Sequence, residues 1–191
     1  MHFLGISGSL RRQSLNTAAL RACTGLLPAG VTMALADISA IPLYNEEIRE
    51  QGLPAPVQSL REQILAADAL VIATPEYNYS MPGVLKNAID WASRPPSQVF
   101  EGKPIALISA SPGGFGGARA QYQLRQVFIY LNGLVLNRPE AMISAAHTKF
   151  DAQGELTDPA ASDQLKALLA ALVDWTRLIS AGQAAVSKAQ P

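Results

Sequence analysis

A chain of 191 residues with 49% hydrophobic and 16% charged residues suits one domain with a single substantial core, and it is too apolar for disorder except at its ends. Lys plus Arg equals Asp plus Glu at 15 each, so no overall field favours nucleic acid or an anionic membrane, and the only basic cluster is Arg11 with Arg12. Cys23 is the only cysteine and the two histidines, His2 and His147, lie far apart in sequence, which excludes an internal disulfide and a cysteine-based metal cage.

In chain order, residues 3–7 form a short apolar run ending in small residues, a buried first strand rather than a signal peptide. Ser14 is placed to cap an apolar-periodic helix through Leu15, Ala19, Cys23 and Leu26, stopped by Pro28 and Gly30. Cys23 inside this helix reads as a small buried apolar residue. Val31, Met33 and Leu35 alternate with Thr32, Ala34 and Ala36, giving a second strand over 31–38, and Pro42, Gly52, Pro54 and Pro56 punctuate the loop that follows. A second helix is expected over 57–67 with Leu60, Ile64 and Leu65 on one side. The continuous apolar run 69–74 predicts a strand covered on both faces. Pro82 sits where the first turn of a helix tolerates proline, and 84–91 continues that helix. Residues 105–109 make a fourth buried strand, and 119–131 a helix ending near Asn132-Gly133. Residues 134–136 and 141–144 supply a fifth strand, irregular around Pro139. A long terminal helix over 163–179 carries Leu165, Leu168, Leu169, Leu172 and Trp175 on its apolar side, and 182–191 is expected to fray. Trp91 and Trp175 read as core or interface residues. Asp37, Asp68, Asp90 and Lys103 interrupt the apolar runs before they reach membrane-spanning length, so no membrane insertion and a cytoplasmic location are expected.

Strands alternating with helices predict an α/β protein: a doubly wound, five-stranded parallel sheet with helices on both faces, in one domain spanning residues 1–181. Ligands in such sheets lie beyond the carboxyl ends of strands, where the strand order reverses. For the order 2-1-3-4-5 that point is between the first and third strands. It is bordered by the loops 8–14, 75–82 and 109–117. The first carries Ser9, Arg11 and Ser14 into a helix N-terminus. Free backbone N–H groups, hydroxyls and a guanidinium fork there make an anion seat. The Gly-Lys-Ser/Thr of a Walker loop, the G-x-G-x-x-G of a dinucleotide fold and the G-x-S-x-G of an esterase elbow are all missing. A seat for a terminal monophosphate remains. The second loop, Pro75-Glu76-Tyr77-Asn78-Tyr79-Ser80-Met81-Pro82, is a semi-rigid rim suited to a flat heterocycle. The third, Ser111-Pro112-Gly113-Gly114-Phe115-Gly116-Gly117, lets backbone approach a ligand ring closely.

These stretches resemble the NAD(P)H-dependent FMN reductase family, the flavodoxin-like quinone, azo and chromate reductases. The resemblance rests on Gly8-Ser9-x-Arg11-x-x-Ser14-x-Asn16, on Pro75-Glu76-Tyr77-Asn78-x-Ser80-x-Pro82-Gly83-x-Leu85-Lys86-Asn87-Ala88-Ile89-Asp90-Trp91, and on Gly113-Gly114 through Gly116-Gly117. It extends to Ile41-Pro42-Leu43-Tyr44, Gln121-Tyr122-x-Leu124-Arg125 and Asn137-x-Pro139-Glu140, about three-quarters of the chain. It implies a flavodoxin-like fold, bound FMN, and NADPH or NADH as hydride donor to a small-molecule acceptor. Ser9, Arg11, Ser14, Leu15 and Asn16 would hold the phosphate. Pro75, Glu76, Tyr77 and Asn78 would edge the isoalloxazine, and Ser111, Gly113 and Gly114 would border its pyrimidine end. A homodimer or homotetramer is also implied, and Tyr79, Arg119, Tyr122, Arg125 and Glu140 are placed to join subunits. The residues disclose no acid pair, triad or metal-ligand set that must be catalytic. Glu76 and Asp90 read as a rim hydrogen bond and a helix-surface charge, and Tyr77 divides evenly between orienting a substrate and packing. A non-catalytic electron carrier of the flavodoxin type, or a flavin-binding redox-regulatory protein, is the alternative reading. The chain's neutrality and its second motif argue against it.

Overall fold

The structure is a computed structural model, and it describes residues 1–189. The first strand, β1 (His2–Ser7), leads into helix α1 (Leu15–Gly25) and returns as β2 (Thr32–Ala36). The short α2 (Glu46–Glu50) and α3 (Ala55–Ala66) precede β3 (Ala69–Ala73), α4 (Gly83–Ala92), β4 (Pro104–Ala110) and α5 (Ala118–Tyr130). Two short strands, β5 (Leu134–Val135) and β6 (Ala141–Ile143), and the long α6 (Pro159–Ala189) complete the order. The strands run parallel, as the alternation of elements predicts, in the order β2-β1-β3-β4-β5 that the flavodoxin-like resemblance implies. Every residue of β3 and β4 is buried, because helices cover both faces. One core packs Phe3, Val71 and Ile108 under Leu20 of α1 and Leu165, Leu169 and Leu172 of α6. The other packs Leu4, Ile72 and Leu107 under Leu60 and Ile64 of α3, Leu85 and Ile89 of α4, and Phe128 of α5.

Four features depart from the sequence expectation. The fifth strand is two: β5 pairs with the start of β4 and β6 with its end, and Pro139, which has no N–H to donate, lies in the break between them. Helix α2 falls inside the expected loop; it has no buried residue and hence no apolar period to betray it, and it rests on Asn45 capping the Glu47 N–H at 2.8 Å. On α3 the buried stripe is Val57, Leu60, Arg61 and Ile64, while Leu65 is exposed, so a charged residue completes the i, i+3, i+4, i+7 pattern. Helix α6 passes through Gly182 to Ala189, where a frayed tail was expected over 182–191, and its residues 180–188 are exposed. Gln190 and Pro191 lie outside the described residues. Cys23 is fully buried, and burial pushes its thiol up to about 12, far from a reactive thiolate. Among the described residues no helix is long and apolar enough to cross a membrane.

Candidate functional site

The loops after β1, β3 and β4 leave the sheet at one edge and are tied to one another by hydrogen bonds. The Gly8 N–H donates to the Ala73 carbonyl at 2.7 Å, and the Thr74 N–H to the Ile108 carbonyl at 3.0 Å. A Cβ on Gly8 would stand 3.0 Å from Leu85 Cδ2 and 3.3 Å from the Ala73 carbonyl oxygen, so glycine permits this close exit from β1.

In the first loop, Ser14 caps α1 as expected, its hydroxyl accepting from the Thr17 N–H at 3.2 Å. The N–H groups of Leu15 and Asn16, in the first turn, have no helical acceptor. Ser9 is nearly buried, and its hydroxyl accepts from the Arg11 N–H at 3.4 Å. Arg11 is exposed, and among the described residues its guanidinium forms no ion pair. The Asn16 side chain is held inside the fold, away from solvent. Its carboxamide is 3% exposed and fully engaged by Ala110: Nδ2 donates to the carbonyl at 2.9 Å and Oδ1 accepts from the N–H at 2.9 Å.

The second loop is a tight hairpin. Tyr77 and Ser80 exchange backbone bonds of 2.9 and 3.0 Å, and Asn78 and Tyr79 between them have φ of +49° and +68°. Both are left-handed, the geometry of a type I′ turn, which favours glycine where Tyr79 stands. Helix α5 holds this turn. Gln123 donates to the Tyr79 carbonyl at 2.9 Å and accepts from the Ser80 hydroxyl at 2.5 Å. One turn earlier, Arg119 lies 3.8 Å from the Tyr79 ring centroid and 4.8 Å from that of Phe115. The Glu76 carboxylate accepts from the Arg119 N–H at 3.2 Å and from its Nε at 2.5 Å, and these bonds raise the Arg119 pKa. The Glu76 side chain therefore faces α5. The Tyr77 ring is about half exposed.

In the third loop Ser111 is bound on both sides. Its N–H donates to the Ile143 carbonyl at 3.0 Å, and its hydroxyl accepts from the Gly113 N–H at 3.2 Å. A Cβ on Gly113 would meet only the Ser111 hydroxyl at 3.6 Å, and one on Gly114 would meet nothing within 4 Å. The space above these two glycines is open. The clasp of the turn by Arg119 and Gln123 was not anticipated, Arg119 having been expected to join subunits. The only signal was their position just after the glycine run. Asp90, one of the acids considered, pairs with Lys86 Nζ at 2.7 Å along α4, as a helix-surface charge does. Two concavities, about 450 Å³ beside Leu134, Leu178 and Val186 and about 310 Å³ beside Lys86, Arg94 and Tyr130, lie away from these loops.

A parallel doubly wound sheet in this strand order, with helices on both faces, defines the flavodoxin-like class. Residues 1–148 match the NADPH-dependent FMN reductase family, and the chain belongs to it. It is 60% identical over 174 residues to an NAD(P)H-dependent FMN reductase of Pseudomonas aeruginosa, covering 91% of this chain and 94% of that one. It is 45% identical over 175 residues to a quinone reductase of Escherichia coli K12, covering 90% and 93%. Among solved structures, the flavoenzyme NAD(P)H:(acceptor) oxidoreductase FerB of Paracoccus denitrificans superposes with a TM-score of 0.84 at 36% identity, over 92% of this chain and 97% of that one.

Proposed function

We propose that the protein is an FMN-dependent NAD(P)H oxidoreductase that reduces quinones or similar small acceptors such as azo compounds, chromate or free flavin. The observation that carries this reading is the convergence of the α1 N-terminus and an open, side-chain-poor rim on one switch point in a chain of the FMN reductase family. The residues fit FMN: the unpartnered first turn of α1 and Arg11 suit a phosphate, and the open backbone at Gly113 and Gly114 suits a flat ring. When bound, FMN supplies the redox chemistry, accepting hydride from nicotinamide and delivering it to the acceptor. The chain binds and orients. Ser9, Arg11, Ser14 and the N–H groups of Leu15 and Asn16 would hold the phosphate. The backbone of Pro75, Glu76 and Asn78, with Tyr77, would edge the ring, and Ser111, Gly113 and Gly114 would border its other end. No side chain of the set is assigned a proton-transfer role.

One open crevice serves donor and acceptor in turn. Oxidation of NADPH with benzoquinone by the purified protein is expected to give parallel double-reciprocal lines, with each substrate inhibiting competitively in excess. A protein that binds FMN but does not turn over these substrates would support the electron-carrier or regulatory reading instead.

Arg11→Ala is expected to weaken FMN by about 1.5–3 kcal/mol through loss of a charged hydrogen-bond donor, and to leave riboflavin affinity nearly unchanged. Equal losses for both ligands would remove Arg11 from the phosphate seat.

The protein is proposed to act in the cytoplasm, where NADPH is available, as a homodimer or homotetramer. Of the residues expected to join subunits, Arg119 has an internal partner in Glu76, and Arg125 donates to the Leu136 carbonyl at 3.0 Å. Tyr122, Ile129 and Tyr130 remain exposed along α5 and support an apolar contact there. Light scattering at micromolar concentration is expected to give twice or four times the chain mass, and a monomer alone would reject the assembly.

A further inference from the structure

We infer that Asn16 is a positioning residue that couples the two ends of the flavin site, so that filling the phosphate seat tightens the ring site. The inference rests on the flavin reading above. Asn16 is the second residue of α1, and Ala110, its partner, is the last residue of β4. The β3 edge of β4 loses its neighbour before Ala110, because the ladder ends at Ala73 opposite Ile108, and the Thr74 N–H makes the last bond there. On its other side β4 still pairs with β6, Ala110 standing opposite Ile143. The Asn16 carboxamide fills the vacant edge. It donates and accepts as a peptide group would, at 2.9 Å in both directions, and supplies one more rung to the sheet from a side chain.

This rung joins segments 94 residues apart in sequence. On one side are the free N–H groups of the α1 N-terminus, which draw an anion. On the other is Ala110, followed directly by Ser111 and the open glycines. The pair is buried, so water does not replace a lost bond cheaply. An anion that orders the first turn of α1 thus orders Ala110 and the rim beyond it. By linkage, a ring on that rim strengthens the anion seat by the same factor.

The test uses the full chain stripped of flavin, with riboflavin and inorganic phosphate as separate probes. Riboflavin is titrated by fluorescence with and without saturating phosphate at matched ionic strength. In the wild-type chain phosphate is expected to raise riboflavin affinity at least fivefold, within the usual range of site-to-site coupling. In Asn16→Ala the factor is expected to fall below twofold while each probe still binds alone. A thermal melt reports any loss of stability separately, and a purely structural role would lower the melting temperature without changing the factor. If the alanine variant does not fold, Asn16→Ser, which stays polar but is too short to make both bonds to Ala110, takes its place with the same expectation. A wild-type factor near one, or an unchanged factor in the variants, overturns the coupling. FMN is titrated alongside: failure of FMN itself to bind the wild-type chain would overturn the flavin reading, whereas FMN binding without the phosphate effect overturns the coupling alone.

Discussion

Leucine in place of Arg61 is expected to lower the unfolding free energy by about 3–5 kcal/mol, although no acidic residue among the described residues pairs with this arginine. Arg61 is 5% exposed, and burial lowers its pKa. Its guanidinium donates to the Ala92 carbonyl, to that of Arg94 at 2.7 Å and to that of Ser97 at 3.0 Å, and to the Ser97 hydroxyl at 2.8 Å. Ala92 closes α4, so the cation also sits at the negative end of that helix. Leucine preserves the apolar stem and leaves these carbonyls without a donor. Lysine retains the charge but offers a single nitrogen to acceptors spread over six residues, so it is expected to restore less than half of the loss. Urea unfolding of the two variants measures both effects. A leucine variant within about 1 kcal/mol of wild type would mean that water satisfies the segment between α4 and β4.

Gly116→Ala is expected to cost about 2–5 kcal/mol and to displace the third loop of the site. Gly116 has φ +58°, and an added Cβ would lie 2.9 Å from the Met142 carbonyl carbon, 3.0 Å from its oxygen and 3.1 Å from the Ser144 nitrogen. All three are backbone atoms of β6 and its exit, so no side-chain rotation relieves the clash. The Gly116 carbonyl also accepts from the Ser109 hydroxyl at 2.6 Å, which in turn accepts from buried Gln121 at 2.8 Å. Moving Gly116 therefore disturbs a buried network as well as the rim. Gly114→Ala is the informative contrast, because its Cβ would enter open space. It is expected to melt within a degree or two of wild type while weakening FMN, since the methyl would enter the place proposed for the ring. Equal thermal losses in the two variants would show that strain at Gly116 is absorbed by loop movement, and unchanged FMN affinity in Gly114→Ala would move the ring away from this rim.

Much of the architecture was legible before the structure, for local reasons. The buried strands are continuous apolar runs, and α1 announces itself through Ser14 and its apolar stripe. The strand order β2-β1-β3-β4-β5 matches the expectation raised by element alternation and by the resemblance to the flavin reductases. The residues illegible to pattern were polar groups serving a tertiary purpose. Arg61 occupies a core stripe because acceptors come to it from the end of α4. Asn16 is expected near the phosphate because it follows Ser14 in a loop of polar residues, and nothing local shows that its side-chain amide also completes a sheet edge. Glu76 reads from the sequence as a rim hydrogen bond, but its partner, Arg119, comes from a helix 43 residues away and could not be named.

What the sequence alone determined, then, is the set of buried strands and capped helices, the place where their loops meet, and the family to which the motifs belong. These follow from interactions within a few residues: hydrophobic period, helix capping and turn chemistry. Tertiary structure alone decided which polar side chains face the crevice and which are spent inside the fold. A carboxamide, a carboxylate or a guanidinium is saturated by whatever donor or acceptor the packed chain brings within about 3 Å. For Asn16 and Glu76 those partners arrive from β4 and α5, at separations that no local pattern records.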